Sequence, residues 1–306
     1  MSWSASGGPF YFLFSIMKQS YLKLKSIKDF ETLNNQKSIN LLTTSQPKID
    51  KNKLFTAVLH LSPSDISGVD FCPNSNNCRK LCLFYSGNKL YHQAKFKARL
   101  RKSNMFNSDK FKFMHSILIN ICHLYAKNQY KPMNLRLNAT SDIQFLDIPI
   151  SVNLSLSNWL YNRYNIPIKT NKYQSIYHLF VENNLLIHAY DYTKILTPNK
   201  IYKSLDCKYH LTMSYDGKRQ NETNIKACKL AIKHEINIAA CFQHVKKSEC
   251  FKPIYNLYNQ DFETIDGDLS DERYLDAKNK IVCLRYKRDQ HHKNLSKKDI
   301  NAFCYD

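Results

Sequence analysis

Polar and apolar positions alternate along a series of short runs, each of which turns polar at its end: FTAVLHLSPSD (55–65), MNLRLNATSD (133–142), LIHAYDYTK (186–194), YHLTMSYDG (209–217), INIAACFQH (236–244), FETIDGD (262–268) and IVCLRYKRD (281–289). Such runs predict seven strands. Between them the apolar spacing becomes helical. Residues 91–128 predict two helices broken near Asn107 and Ser108, with Ile117, Ile121 and Leu124 on one face of the second. SVNLSLSNWLYNRY (151–164), YQSIYHLFVEN (173–183) and NETNIKACKLAIKHE (221–235) predict three more helices. Strands alternating with helices predict parallel βαβ units. The expected fold class is α/β, a single (β/α) barrel-like domain, complete or incomplete. Residues 1–52 are expected to form a poorly ordered N-terminal extension, residues 53–290 the domain, and residues 291–306 a tail whose adjacent His291 and His292 face solvent.

In parallel sheets the C-terminal strand ends carry the functional residues. Arg136 and Asn138 alternate with Leu135 and Leu137, so the two pairs face opposite ways, and Thr140, Ser141 and Asp142 follow at the mouth. Asp191, Tyr192, Thr193 and Lys194 end the next strand; Thr212, Ser214 and Asp216 end another. Asp266, Asp268 and Asp271 follow a further one, and Arg285 and Lys287 end the last. Five polar strand ends predict a shared polar cavity, against the alternative that Asp, Ser and Thr stand there as helix caps.

Three of the ten cysteines lie in FCPNSNNCRKLCLFYSGNKLY (71–91): Cys72, Cys78 and Cys82, spaced C-x5-C-x3-C after the first strand. Thiolates so spaced suit zinc or an iron–sulfur core. A structural zinc takes four ligands, so either His92, Cys122 or Cys241 completes the set or one coordination position stays open. Three cysteines after a first barrel strand resemble the loop of radical S-adenosylmethionine enzymes, although the spacing departs from their C-x3-C-x2-C. Iron–sulfur cluster (with S-adenosylmethionine as a further cofactor), zinc, and metal-free cysteines all stay open.

Charge widens the field. The 306 residues carry 45 Lys and Arg against 25 Asp and Glu, a net +20, which points to a polyanionic partner such as nucleic acid. Lys95, Arg99 and Lys102 would share one helical face, and twenty tyrosines are available to stack on bases. A solvated lysine surface is the alternative. With 43% hydrophobic residues the chain is of globular type. PFYFLFSIM (9–17) is shorter than the roughly 20 residues that span a bilayer and makes a poor signal peptide, so neither membrane anchoring nor secretion is expected. P-loop, GxSxG and HExxH patterns do not occur.

The segments LHLSPSDISGVDFCPNSNNCRKLCLFYSG, ARLRKSNMF, LRLNATSD, YDYTK, YHLTMS, IDGDLSDERYLD and IVCLRYK together resemble the phage-associated gene product 88 family. Ala139 stands where that family usually has glycine. The resemblance spans about residues 54–290 and implies a mobile-element source and a host cytosol or organelle matrix. It implies site roles for Cys72, Cys78, Cys82, Arg136, Asn138, Ser141, Asp142, Asp191, Tyr192, Lys194, His210, Ser214, Asp266, Asp268 and Arg273.

Two functions are expected from these observations. The first is an enzyme with metal on the three cysteines and a small polar substrate. In it Asp142, Asp191, Lys194 and His210 are catalytic candidates, since buried Lys and His can be tuned toward neutral pKa. Arg136, Asn138, Ser141, Tyr192, Ser214, Asp266, Asp268, Arg273 and Lys287 would bind substrate, and Arg136, Arg273 and Lys287 suit a phosphate. The second is a basic nucleic-acid-binding protein whose metal only staples the loop.

Overall fold

All seven expected strands form and run parallel. The computed structural model describes residues 40–46, 48–83, 92–217, 220–246, 248–287 and 295–305. Its main sheet has nine strands in the order β1 (Leu42–Thr43), β2 (Phe55–Leu59), β3 (Met133–Arg136), β6 (Ile187–Thr193), β7 (His210–Ser214), β8 (Ile238–Phe242), β11 (Ile281–Arg285), β10 (Gln260–Asp266), β9 (Ile254–Leu257). The edge strands β1 and β9 are antiparallel to their neighbours and all other pairs are parallel. A separate two-stranded sheet, β4 (Ile150–Val152) with β5 (Asn171–Tyr173), lies within the β3-to-β6 connection.

Eight helices accompany the sheet among the described residues: α1 (Ser64–Ser67), α2 (His92–Ser108), α3 (Lys110–Lys127), α4 (Leu154–Tyr164), α5 (Ile176–Glu182), α6 (Pro198–Asp206), α7 (Glu222–Lys233) and α8 (Lys297–Phe303). Their starts are written in side chains that accept from first-turn amides. Asp109 accepts from Phe111 and Lys112 and so separates α3 from α2, while Asn153, Thr197, Asn221 and Ser296 cap α4, α6, α7 and α8.

From β2 to β8 the parallel strands follow chain order. Right-handed crossovers between strands in that order put every connecting helix on one face of the sheet. The core agrees. Ala57, Leu59, Leu135, Ala189, Leu211, Met213, Ile238, Ala240, Phe242 and Ile281 belong to one apolar cluster with Ile117, Leu118, Phe180, Cys228 and Ala231 of the helices. The alternate residues face the other way. Register pairs Thr56 with Asn134 and Asn134 with His188, then Tyr190 with His210 and Tyr192 with Thr212, so these side chains share the helix-free face.

At β11 and β10 the order reverses. A right-handed β10-to-β11 connection must then cross the opposite, helix-free face, and residues 267–280 do so with a 3-10 turn at Arg273–Leu275. This connection also curls the sheet. The Asp268 carbonyl accepts from Lys51, the Asp271 amide donates to Asn52 Oδ1, and Glu272 accepts from the Lys53 and Leu54 amides. The two ends of the parallel run thus meet through a loop, not through strand pairing. The fold is a mixed α/β domain on an open, mostly parallel sheet; the barrel expected from the alternation of elements does not close.

Two boundaries differ from expectation. Residues 42–43 already pair with β2, and Lys48, Lys51 and Asn52 hold the 268–272 loop, so part of the expected lead-in belongs to the sheet. The expected exposed tail forms α8, with Ile300 and Cys304 buried against Leu81. Residues 1–39, His291 and His292 lie outside the described residues.

Candidate functional site at the mouth of the parallel strands

The cysteine loop leaves β2 through α1, which Gly68 ends in the left-handed conformation that glycine adopts freely. The loop is then fixed to three further strand ends. Phe71 O accepts from the Asp142 amide at 2.7 Å, past β3. Asn74 Nδ2 donates to Lys194 O at 3.5 Å, past β6. The Asn77 and Cys78 amides donate to the Asp216 carboxylate at 3.1 and 3.4 Å, past β7. Lys80 pairs with Asp299 of α8 at 2.8 Å.

Cys72, Cys78 and Cys82 are all half-buried, and their thiols act on one another. Burial, then Asp142, Cys82 and Cys78, push the Cys72 thiol far above its usual range. Burial pushes Cys78 up to about 12, with Lys194 pulling down and Asp216 and Cys82 pushing up. Among the described residues no three His, Cys, Asp or Glu side chains already stand as a group that could hold a metal ion. Of the candidate fourth ligands, Cys122 is sealed in the apolar core on α3, and Cys241 Sγ lies 3.9 Å from Cys304 Sγ. The His92 side chain is outside the described residues. An open depression of about 440 Å³ lies beside the loop, lined by Phe71, Pro73, Phe106 and Asp142 but by none of the three thiols.

Lys194 is the cation of this mouth. Its Nζ is 3.1 Å from Asp216 Oδ1 and donates to Ser214 Oγ at 3.1 Å. Burial works against its charge, but Cys78, Asp216 and Asp142 outweigh it and raise the ammonium pKa. Asp142 is occupied as a staple: its oxygens accept from Thr193 Oγ1 and the Lys194 amide, each at 2.7 Å. Asn138 and Ser141 also serve the loop, since Asn138 Oδ1 accepts from Ser141 Oγ and the Ile143 amide, both at 2.9 Å. Asp191 lies on the helix-bearing face. It accepts from the Leu137 and Asn138 amides and from Tyr209 OH, and burial pushes its carboxyl up to about 7 against the pull of Arg136.

Three predicted residues sit elsewhere. His210 begins β7, roughly 13 Å of strand from Ser214 at about 3.3 Å per residue; burial, Arg273 and Lys278 push its imidazole down to about 4. Arg273 is buried in the crossing loop and pairs with Asp276 at 3.0 Å. Lys287 is exposed and 3.6 Å from Asp268. Arg136 is tied to Asp271 at 2.8 Å and stacks 4.6 Å over the Tyr192 ring, so Arg136, Arg273 and Lys287 do not converge on one phosphate. Asp266 and Asp268 are engaged by Arg285, whose Nη1 is 2.9 and 3.5 Å from them.

The basic helix face is partly turned inward, with Lys95 half-buried. Arg99 and Lys102 of α2 are buried, so two of the three cations of the expected stripe are not at the surface. Below the mouth, Tyr190 OH, Tyr192 OH, Thr212 Oγ1 and His210 Nε2 are buried on the helix-free face without hydrogen-bond partners. Sequence reasoning passed over His60, Tyr190 and Glu272, because their importance comes from pairings across the sheet.

The seven quoted segments thus meet in one structure: cysteine loop, strand ends and the aspartate-rich crossing loop. The gene product 88 family model matches residues 31–306. The chain belongs to the gene product 88 family. No curated protein and no solved structure matches it. The resemblance to radical S-adenosylmethionine enzymes expected from the three cysteines is not shown by any of these comparisons. No helix among the described residues is long and apolar enough to cross a membrane.

Proposed function

We propose that this gene product 88 protein is an enzyme whose three-cysteine loop holds a metal centre above a chamber for a small polar substrate. An iron–sulfur cluster is the first assignment and zinc the second. One observation carries the reading: three thiols on an anchored loop lie at the mouth of a polar strand face where Tyr190, Tyr192, Thr212 and His210 keep unpartnered polar atoms. Leaving a buried polar group unpaired costs about 1–3 kcal/mol, so four on one face suit a bound polar molecule or water.

The donor set fits a thiophilic metal in kind, because burial and mutual repulsion oppose thiolate charge that a cation would neutralise. Cys72, Cys78 and Cys82 would hold it, and with three protein ligands it would supply an open coordination position or, as zinc, a Lewis acid. Lys194 is held between Asp216 and Ser214 next to Cys78, where its ammonium can orient an anionic or carbonyl oxygen. Arg136, fixed by Asp271 and Tyr192, stands on the same strand face.

The test is anaerobic purification with an absorption spectrum and iron, sulfide and zinc analysis, comparing wild type with a Cys72→Ala, Cys78→Ala, Cys82→Ala variant. Several irons and sulfides lost in the variant are expected, and a single zinc lost in it would select the second assignment. Metal-free protein in both samples would overturn the reading. It would leave the basic nucleic-acid-binding alternative, which rests on the net charge of +20 and predicts binding that falls steeply with salt.

A further inference from the structure

Two thiols outside the cysteine loop stand opposite each other where α8 meets the sheet. Phe242, the last residue of β8, and Tyr305, just past α8, form an isolated parallel bridge, and the Tyr305 amide donates to Cys241 O at 2.6 Å. Cys241 and Cys304 each precede one of these partners, so they face each other in the same register. Their side chains share the side opposite the Phe242 and Tyr305 rings, whose centroids are 5.4 Å apart. Neighbouring strands lie about 4.8 Å apart, within the roughly 4.4–6.8 Å between Cα atoms that a disulfide bridges. The two sulfurs are 3.9 Å apart and both thiols are free. Cys304 is fully buried, whereas Cys241 is half-buried. Among the described residues no third His, Cys, Asp or Glu side chain joins them in a group that could hold a metal ion.

We propose that Cys241 and Cys304 are a reversible oxidation site, closing to a disulfide by exchange with a low-molecular-weight disulfide of the glutathione type. The half-buried sulfur is the point of entry. Cys241, as thiolate, attacks one sulfur of the small disulfide, breaks its S–S bond and expels one thiolate. The Cys304 thiolate then attacks the Cys241 sulfur of the mixed disulfide and expels the second. Two protein thiols are oxidised, one small disulfide is reduced to two thiols, and the two protons pass to the departing thiolates. Cys304 reacts from inside the fold and needs no access to solvent. The Cys304 sulfur first, and then burial, hold the Cys241 thiol far above its usual range, so closure takes hours rather than seconds. In a reducing compartment such a bond is transient and reports the redox state. Its consequence lies in α8. Ile300 and Cys304 pack with Leu81, the residue before Cys82, and Asp299 pairs with Lys80. Tying the end of α8 to β8 fixes this brace on the three-cysteine loop, whether or not that loop holds a metal.

The test is incubation of reduced, chelator-treated protein in mixtures of oxidised and reduced glutathione, trapping of free thiols with N-ethylmaleimide, and tryptic mapping without reductant. Cys241 and Cys304 are the single cysteines of the tryptic peptides HEINIAACFQHVK (234–246) and DINAFCYD (299–306). These two should appear joined as oxidised glutathione is raised and separate again in reduced glutathione. The bond links residues 63 positions apart, so the oxidised protein should unfold roughly 8 °C higher. Hydrogen exchange should slow across residues 297–305 and 78–82. Cys304→Ala should leave Cys241 as a glutathione adduct with neither effect, Cys241→Ala should also remove the link, and Cys250→Ser, at an exposed cysteine, should leave it intact. The wild-type map decides the matter should either alanine variant fail to fold. No joined peptide after a day in oxidised glutathione, Cys241 joined to a loop cysteine in preference to Cys304, or unchanged exchange over 297–305 in the joined protein would overturn the proposal. Metal content of the loop variant is unaffected by any of these outcomes, so the two readings fail separately.

Discussion

Removing the charge of Asp271 tests the crossing loop where it holds the curled sheet together. The carboxylate is fully buried and lies 3.0 Å from Lys48 Nζ and 2.8 Å from Arg136 Nη1. Burial would raise its pKa, but Arg136, Lys48 and Arg273 outweigh it and hold the group well below the usual carboxylate range. Asp271→Asn keeps the shape and leaves the buried Arg136 without its main counter-charge. Breaking such a pair costs about 3 kcal/mol or more, which for a domain of this size lowers the unfolding midpoint by roughly 6 °C. Replacing both partners, Arg136→Met with Asp271→Leu, should cost much less than the single change. The pH dependence has a definite sign. The unfolded carboxyl titrates near 3.9, above the folded value, so the native pair stabilises fully above about pH 4 and less as pH falls below it. The stability gap between wild type and Asp271→Asn, measured by urea unfolding, should therefore be large at pH 7 and shrink at pH 3. A gap under about 1 kcal/mol at pH 7, or one that does not shrink in acid, would refute the argument.

Other expectations follow from single sites. Gly217 has φ +89°, and a Cβ there would lie 2.0 Å from Ala302 O, so Gly217→Ala should loosen α8 and speed hydrogen exchange across residues 297–305; unchanged exchange would contradict that docking. His210 has a folded pKa of about 4, below the unfolded value near 6.5, so it favours the folded state above about pH 6.5 and progressively less toward pH 4. The difference in stability between wild type and His210→Asn should accordingly narrow from pH 7 to pH 5, and a constant difference would count against a neutral buried ring. In metal-free protein at pH 7.5, iodoacetamide should label exposed Cys250 quickly and Cys72 and Cys78 slowly, as read by peptide mass mapping; equal rates would deny the raised thiol pKa values.

How much of this was legible depends on range. The seven parallel strands were readable because alternation and polar ends are local signals, and the α2–α3 break was readable near Asn107 and Ser108, where the structure places the Asp109 cap. β9 was not, because its turn to β10 places Tyr258 and Asn259 at positive φ without the Asn-Gly signature of such turns. β1, β4 and β5, of two or three residues each, are too short for a period. α6 carried a usable mark that was passed over, Thr197 as cap with Pro198 in the first turn. At the site, Lys194 and Ser214 were found as strand ends and do meet. The roles of Asp142, Asn138 and Ser141 as loop staples were not visible, since the cap reading and the site reading draw on the same residue types. The Lys95, Arg99, Lys102 stripe read as a surface because spacing reports a shared face and not what that face meets.

The strand order explains why chemistry concentrates where it does. With every connection from β2 to β8 on one side, the opposite face has no helical layer of its own and has to be covered by long-range contacts. The reversed β10-to-β11 connection covers its lower part, fixing Glu272 to the Lys53 and Leu54 amides and to Asn134, and stacking Tyr274 on His188 at 4.8 Å. The upper part falls to the cysteine loop, which α8 braces through Lys80–Asp299 and the packing of Leu81 on Ile300. A strand face lined by Arg136, Tyr192, Lys194, Thr212 and Ser214 is thus enclosed by two covers, of which the upper reaches the apolar core through Phe71. The lower cover is fastened by buried ion pairs; the upper one is held by Phe71 in the core, by the strand ends at Asp142, Lys194 and Asp216, by exposed Lys80 and by the close approach that Gly217 allows. Exposed pairs contribute about 1 kcal/mol or less, so the Lys80–Asp299 pair adds little and the loop's hold on the strand ends comes from its buried contacts at Asp142 and Asp216.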